Sequence, residues 1–117
     1  MKGRRRPDTR FGELPDDLQP GDYWRYIVGE GADERPASAA AMYGDRAAGN
    51  LTDGVWGYYS PDGNGIGTLA AHTVREHEDG TISVLPGDGS SNSILHIGGA
   101  RGLTWHGYIY NGEWRPC

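Results

Sequence analysis

The chain has little of the aliphatic material from which small domains usually build a core. Leu, Ile, Val and Phe make up roughly 15% of its 117 residues, a fraction that by itself is typical of disordered chains. No stretch approaches the ~20 apolar residues of a membrane-spanning helix. No apolar run follows the basic start, as it would in a signal peptide. These absences predict a soluble protein that stays inside the cell where it is made.

Other absences exclude whole classes of site. Cys117 is the one cysteine, so an intrachain disulfide is impossible, and its place after Arg115-Pro116 does not favour a catalytic thiol. The glycine clusters at residues 62–67 and 86–91 lack the Lys-Ser/Thr ending of a phosphate-binding P-loop. The sequence therefore predicts no cofactor.

Aromatic and turn-forming residues are present instead. Four Trp and seven Tyr offset the missing aliphatics, because each aromatic ring buries a large area. Twenty Gly and seven Pro interrupt the chain at short intervals, which favours short strands over long helices. We expect a mainly β fold: a small antiparallel sheet, or a partly open barrel or sandwich, of about six or seven short strands. At most one short helix is predicted, near residues 37–43.

Two turn dipeptides predict hairpins, since Asp-Gly and Asn-Gly adopt the type I′ turn at least cost. A two-residue turn at Asp79-Gly80 would pair Glu78 with Thr81 and His77 with Ile82. It would also place Ile82 and Val84 on one face and put Glu76, Glu78, Thr81 and Ser83 on the other.

The second turn, Asn111-Gly112, predicts which residues face the core. It would pair Ile109 with Trp114, and it groups Trp105, Gly107, Ile109 and Trp114 as the buried face. The opposite face is the predicted binding surface and carries His106, Tyr108 and Tyr110. The alternative is a second layer in which the N-terminal segment or residues 29–53 cover these side chains.

The chain divides into a polar N-terminal arm (residues 1–20) and one β-rich domain (residues 21–117) with a loop-rich insert at 29–53. An insert of this length is uncommon unless it is functional or mobile, so we add Met42 and Tyr43 to the predicted binding surface.

Charge is unevenly distributed between these two parts. The net charge is −5, yet the arm begins with a basic cluster of Lys2, Arg4, Arg5, Arg6 and Arg10. The acidic remainder would repel nucleic acid and membranes, so any phosphate contact would have to come from the arm, weakly. The arm is read as a solvated tail, with docking on a partner and nucleic-acid contact as alternatives.

The candidate metal ligands are His72, His77, His96 and His106. Their spacings match no known zinc ligand pair, and His72 and His77 would lie on opposite faces of one strand. We expect them to be packed, hydrogen-bonded side chains and predict no metal site.

From about Gly54 to Trp114 the chain resembles a group of small proteins of unknown function from actinobacterial phages and their hosts. The matching motifs are Pro61-x-Gly63 with Gly67-x-Leu69, His72-x-Val74-x-Glu76-His77-Glu78-Asp79-Gly80-Thr81-Ile82-x-Val84, Ser93-Ile94-Leu95, and Trp105-His106-Gly107-Tyr108-Ile109 with Gly112-x-Trp114. The chain departs from that pattern by inserting residues 87–92, where a longer loop is expected. The resemblance implies a phage or prophage setting and carries no activity with it.

The expected function is that of a non-enzymatic accessory protein in the host cytoplasm, which binds a host or phage macromolecule, as in host takeover or anti-defence. Its acidic body suits a protein partner with a basic surface. The sequence does not indicate the oligomeric state of the chain. The first alternative is a virion structural or decoration protein whose arm threads into a neighbouring subunit. The second is a small metal-dependent enzyme built on the four histidines.

Overall fold

The computed structural model describes residues 1–10, 12–27, 55–69, 72–85 and 93–117, and in these ranges the fold is mainly β, as predicted. The strands are β1 (Arg4–Arg5), β2 (Thr9–Arg10), β3 (Asp22–Ile27), β4 (Val55–Tyr59), β5 (Ile66–Thr68), β6 (Thr73–Glu76), β7 (Ile82–Leu85), β8 (Ile94–Ile97), β9 (Leu103–Tyr110) and β10 (Glu113–Pro116). One 3-10 turn, Gly99–Arg101, joins β8 to β9.

The strands form three small sheets and no closed barrel within the described ranges, an arrangement compatible with a small sandwich. In the first sheet, β3 lies between the arm strands β1 and β2 on one side and β4 and then β5 on the other. The second sheet has the order β10-β9-β8, and the third is the hairpin β6-β7. The predicted helix near residues 37–43, the insert at 29–53 and the long loop at 87–92 lie outside the described residues.

Aromatic rings take the place of aliphatic bulk in the core. The buried cluster contains Tyr23, Trp56, Tyr58, Leu69, Ile82, Val84, Ile94, Ile109 and Trp114, with Val74 and Trp105 packed against it. The Trp114 ring meets Trp105 edge to face at 5.5 Å between centroids, and Tyr58 at the same distance. Such contacts add to the large area that each ring buries. A chain with few aliphatic residues can therefore form a packed interior.

The arm is part of the fold, contrary to the expectation of a solvated tail. Strands β1 and β2 pair in parallel with β3, and Lys2 forms an antiparallel bridge with Glu113 at the edge of β10. The Gly3 N–H donates to the Gly112 carbonyl at 2.8 Å. The arm thus joins the first and second sheets, and with its two short strands the described ranges contain ten strands, where six or seven were expected.

The hairpin at Asn111-Gly112 has the predicted register, and the hairpin at Asp79-Gly80 does not. Asn111 and Gly112 both have positive φ, 50° and 76°, as a type I′ turn requires, and Ile109 pairs with Trp114. Asp79 does not have positive φ; only Gly80 does, at 86°. The Gly80 N–H donates to the His77 carbonyl at 2.9 Å, which makes a three-residue loop with Gly80 in the left-handed position.

This longer loop shifts the β6-β7 pairing by one residue. Glu76 lies opposite Ile82, and the His77 N–H donates to the Thr81 carbonyl, so the predicted pairs of His77 with Ile82 and of Glu78 with Thr81 were wrong. The cause is the Asp79 carboxylate, which accepts hydrogen bonds from both the N–H and the hydroxyl of Thr81. Such a local side-chain bond favours a different turn from the one that the dipeptide alone predicts.

Candidate protein-interaction face

Strand β9 alternates between the core and solvent, and this alternation builds the candidate site. Gly107 and Ile109 are buried and Trp105 packs against the core, whereas His106, Tyr108 and Tyr110 point outward. Tyr110 exposes 61% of its surface and Tyr108 exposes 37%. The division of β9 into two faces is therefore the predicted one.

Neighbouring residues extend this exposed surface with aliphatic side chains. Leu95 lies directly opposite the exposed His106, and Ile97 lies opposite Leu103. Leu95, Ile97 and Leu103 expose 57%, 59% and 55% of their surfaces. We call the resulting surface the outer face; it consists of Leu95, Ile97, Leu103, His106, Tyr108 and Tyr110.

The three aliphatic members of the outer face were missed in the sequence. The run Ile94–Ile97 has Ile94, Leu95 and Ile97 at both odd and even positions, so its apolar residues do not mark one face. Such a run is typical of a strand that is covered on both sides. That signal was available, and it points to an apolar surface that needs a cover.

The outer face is mostly apolar at its centre and charged along one margin. Its five apolar side chains together expose about 500 Å², within the roughly 300–600 Å² of the largest apolar patch on a typical monomer, which is often functional. On the margin, Arg115 lies opposite Tyr108 and forms an ion pair with Glu113 at 2.9 Å. Lys2 pairs across from Glu113, so its side chain shares this face. The margin therefore carries both signs of charge.

Cys117 also lies beside the outer face and is exposed. Its N–H donates to the His106 carbonyl at 2.9 Å, and its side chain interacts with Tyr108 and raises the pKa of that phenol. Because it is the one cysteine of the chain, its thiol can report on any protein that covers the outer face.

A buried polar contact supports the sheet from its inner side. His96 is 2% exposed; its Nε2 lies 2.9 Å from the Asn64 carbonyl and its Nδ1 lies 3.0 Å from the Tyr58 hydroxyl. A carbonyl can only accept, which assigns the proton to Nε2 and makes Tyr58 the donor to Nδ1. Burial raises the pKa of Tyr58 to about 12, so the phenol keeps that proton. The pair locks β8 to the loop that follows β4.

The four candidate histidine ligands are not brought together. His96 is buried in the contact just described, His106 is exposed on the outer face, and His77 contacts Ser83. His72 is half-buried in the turn before β6. Over the ranges that the structure describes, no three histidine, cysteine or acidic side chains converge closely enough to hold a metal ion.

His77 and Ser83 resemble a base and a nucleophile, at 2.7 Å, beside a shallow depression of about 420 Å³ between the two hairpin turns. Ser83 has no exposed surface, however, and its oxygen accepts the Asn111 N–H at 2.8 Å. A hydroxyl that no substrate can reach does not act as a nucleophile. The contact joins the two hairpins.

The arm's arginines contact the chain's own acidic residues. Asp22 is 1% exposed and accepts hydrogen bonds from Arg4 at 2.8 and 3.0 Å, from Arg6 at 3.1 Å and from the Gln19 N–H at 2.9 Å. Burial alone would raise the pKa of Asp22, but these bonds outweigh it and hold the pKa below its ordinary value.

Arg5 is engaged in the same way. It binds Asp8 at 2.9 Å and Glu76 at 2.7 Å, and its guanidinium lies 4.6 Å from the centre of the Trp56 ring. The two alternatives for the arm, docking on a partner and contact with nucleic acid, therefore draw no support from Arg4, Arg5 and Arg6, which form ion pairs within the chain. The remaining members of the basic cluster, Lys2 and Arg10, are exposed.

The other two residues of the predicted binding surface, Met42 and Tyr43, lie outside the described residues. A membrane-crossing helix is not found in the described part of the chain, where no helix has the necessary length and apolar character. No protein-family model, curated protein or solved structure matches the chain. Its function has to be argued from its own residues.

Proposed function

We propose that this chain is a phage or prophage accessory protein that acts by binding a protein partner through its outer face and not by catalysis. The observation that carries the proposal is the cluster of apolar side chains on one layer of the β10-β9-β8 sheet. Leu95, Ile97, Leu103 and Tyr110 each leave more than half of their surface exposed. Large apolar side chains in such a cluster lower the free energy only when another surface covers them.

The chemistry of the outer face suits a protein better than other partners. Tyrosine is enriched in protein interfaces because its ring buries a large area while its hydroxyl still hydrogen-bonds. Nucleic acid would need several unpaired cations around the aromatic rings, whereas this face has only Lys2 and Arg115 among the described residues, and Arg115 is paired with Glu113. Arg4, Arg5 and Arg6 are held by acidic side chains elsewhere. A phage or prophage setting is supported by the motif resemblance, and the host cytoplasm would be the place of action.

The two alternatives draw less support. The virion alternative requires the basic arm to thread into a neighbouring subunit, but that arm pairs with β3 and β10 of its own chain. The metal-dependent enzyme alternative requires four histidines in one site, but they lie in four different environments in the described ranges. Neither alternative uses the outer face.

The test is affinity capture from actinobacterial lysate, with and without phage infection, using three versions of the full chain. The first is the wild type, and the second is Leu103→Lys, which places a charge at the apolar end of the outer face. The third is Leu14→Lys, a matched control, because Leu14 is 54% exposed and lies in the loop before β3, away from the β10-β9-β8 sheet.

We expect the wild type and Leu14→Lys to retain the same protein and Leu103→Lys to lose it. A charge that a partner has to desolvate in place of an apolar side chain typically weakens binding tenfold or more. If all three versions retain the same proteins in equal amounts, the outer face is not the binding surface and the proposal is wrong.

A further inference from the structure

We infer that the outer face is occupied by a second copy of this chain, in a two-fold dimer whose β10-β9-β8 sheets pack face to face. The inference rests on the proposed function, because it names the partner of the same surface: the protein that the wild type retains from infected lysate is then the untagged copy of this chain that the phage produces. A two-fold interface brings identical patches together, so the patch has to complement itself. Its area, its shape and its charge all satisfy this condition.

The exposed area fits a stable dimer. The apolar side chains contribute about 500 Å² per copy, and the marginal residues Lys2, Glu113 and Arg115 extend the patch. A standard stable interface buries roughly 800 Å² on each partner. The outer face supplies more than half of that value, and its charged margin adds to it.

The shape of the face also suits a copy of itself. Two sheets pack face to face at about 10 Å with their strands roughly aligned, and side chains of the two inner layers interdigitate. The outer face offers such a layer: Leu95 lies beside His106, and Ile97 lies beside Leu103 across a β-bulge that shifts the register between His96 and Ile97.

Charge does not oppose the pairing. The chain's net charge is −5, yet the charged groups on this face are one acid, Glu113, and two bases, Lys2 and Arg115. Other acidic residues with arginine partners, such as Asp22 and Glu76, belong to other sheets. A partner with a strongly basic surface would find little acidic complement here, whereas a second copy meets both signs.

The first measurement is analytical ultracentrifugation of the full chain over a concentration series, in reductant so that Cys117 cannot form an intermolecular disulfide. We expect a reversible transition from 12.7 kDa to twice that mass. Leu95→Lys and Tyr110→Glu, made separately, should each weaken the dimer at least tenfold, while Leu14→Lys should match the wild type. Circular dichroism verifies that each variant is folded.

A second measurement needs no variant. The reactivity of the Cys117 thiol toward a maleimide, measured on the wild type, should fall as chain concentration rises through the same range. A chain that stays at 12.7 kDa at every concentration, with unchanged thiol reactivity, overturns the inference, as does a dimer that neither variant weakens.

The failure of this inference can be told apart from failure of the proposed function. If the chain is monomeric and captures another protein, and Leu103→Lys abolishes that capture, the dimer is contradicted but the outer face is still the binding surface. A monomeric chain whose captured proteins do not depend on Leu103 contradicts both.

Discussion

Replacing Asp22 with asparagine removes the buried carboxylate that accepts from Arg4 and Arg6 of the N-terminal arm. The substitution keeps the size of the side chain, but it leaves both guanidinium groups with a neutral acceptor and turns an NH₂ donor toward them. Asp22 lies in β3, which pairs with β1 and β2. The change therefore acts where the arm joins the first sheet.

The expected loss of stability follows from how deeply Asp22 and its arginine partners are buried. Removing one member of a buried ion pair typically costs about 3–5 kcal/mol. The Asp22 side chain is 1% exposed, but the Arg4 side chain is 53% exposed and can turn into water once its partner is gone. With that discount we expect Asp22→Asn to lower the free energy of unfolding by about 2–3 kcal/mol, which for a chain of this length is a fall in Tm of about 8–12 °C.

Lowering the pH should reduce the difference in the free energy of unfolding between the wild type and Asp22→Asn. Because the folded-state pKa of Asp22 lies below its ordinary value, its contribution is complete above about pH 4 and is lost as the pH falls further toward the folded-state pKa. Urea unfolding at pH 7 and at pH 3 measures both effects. The exposed Asp16→Asn is the control and should stay within about 0.5 kcal/mol of wild type. An Asp22→Asn variant as stable as that control, or equally destabilised at both pH values, would refute the reasoning.

Three further tests, each by thermal and urea unfolding, examine other parts of the fold. Gly112→Ala and Gly99→Ala both place a side chain at positive φ, 76° and 61°, but only at Gly112 would the added carbon lie 2.9 Å from the nearest side chain. We expect Gly99→Ala to lower the free energy of unfolding by about 1 kcal/mol and Gly112→Ala to lower it by clearly more. Equal losses would contradict this. His96→Phe leaves the Tyr58 hydroxyl buried without its acceptor and should lower the free energy of unfolding by about 1–3 kcal/mol. Adding Tyr58→Phe should restore part of that stability, and strictly additive losses would exclude a coupling between His96 and Tyr58. Arg5→Lys keeps the charge but not the planar fork, so it should destabilise the chain by about 1 kcal/mol, and a neutral result would show that the ring and the acidic side chains around Arg5 contribute little.

The two hairpins show how far local sequence predicts structure. At Asn111-Gly112 the turn preference and the core packing of Ile109 and Trp114 agree, so register and faces were predictable. At Asp79-Gly80 the dipeptide has a second local option, because its carboxylate bonds to Thr81, and the three-residue loop forms. A dipeptide rule does not decide between two turns that are both favourable locally.

The arm and the outer face depend on tertiary contacts that no local pattern encodes. Residues 1–10 look like a solvated tail by composition, yet Arg4, Arg5 and Arg6 bind acidic residues far along the chain. The aromatic half of the outer face followed from the β9 alternation, whereas its aliphatic half required the pairing of β8 with β9. Amino-acid composition shows which side chains need a partner, but it does not show which residues those partners are.

The central claim, that the outer face binds protein, is tested most directly by methyl NMR of the wild-type chain, recorded over a dilution series and with any captured partner added. We predict that the methyl signals of Leu95, Ile97 and Leu103 shift together, while those of Leu14 and Ile66, which are exposed elsewhere, stay in place. Shifts confined to Leu14 or Ile66, or no shift at any methyl group under conditions where binding occurs, would contradict it.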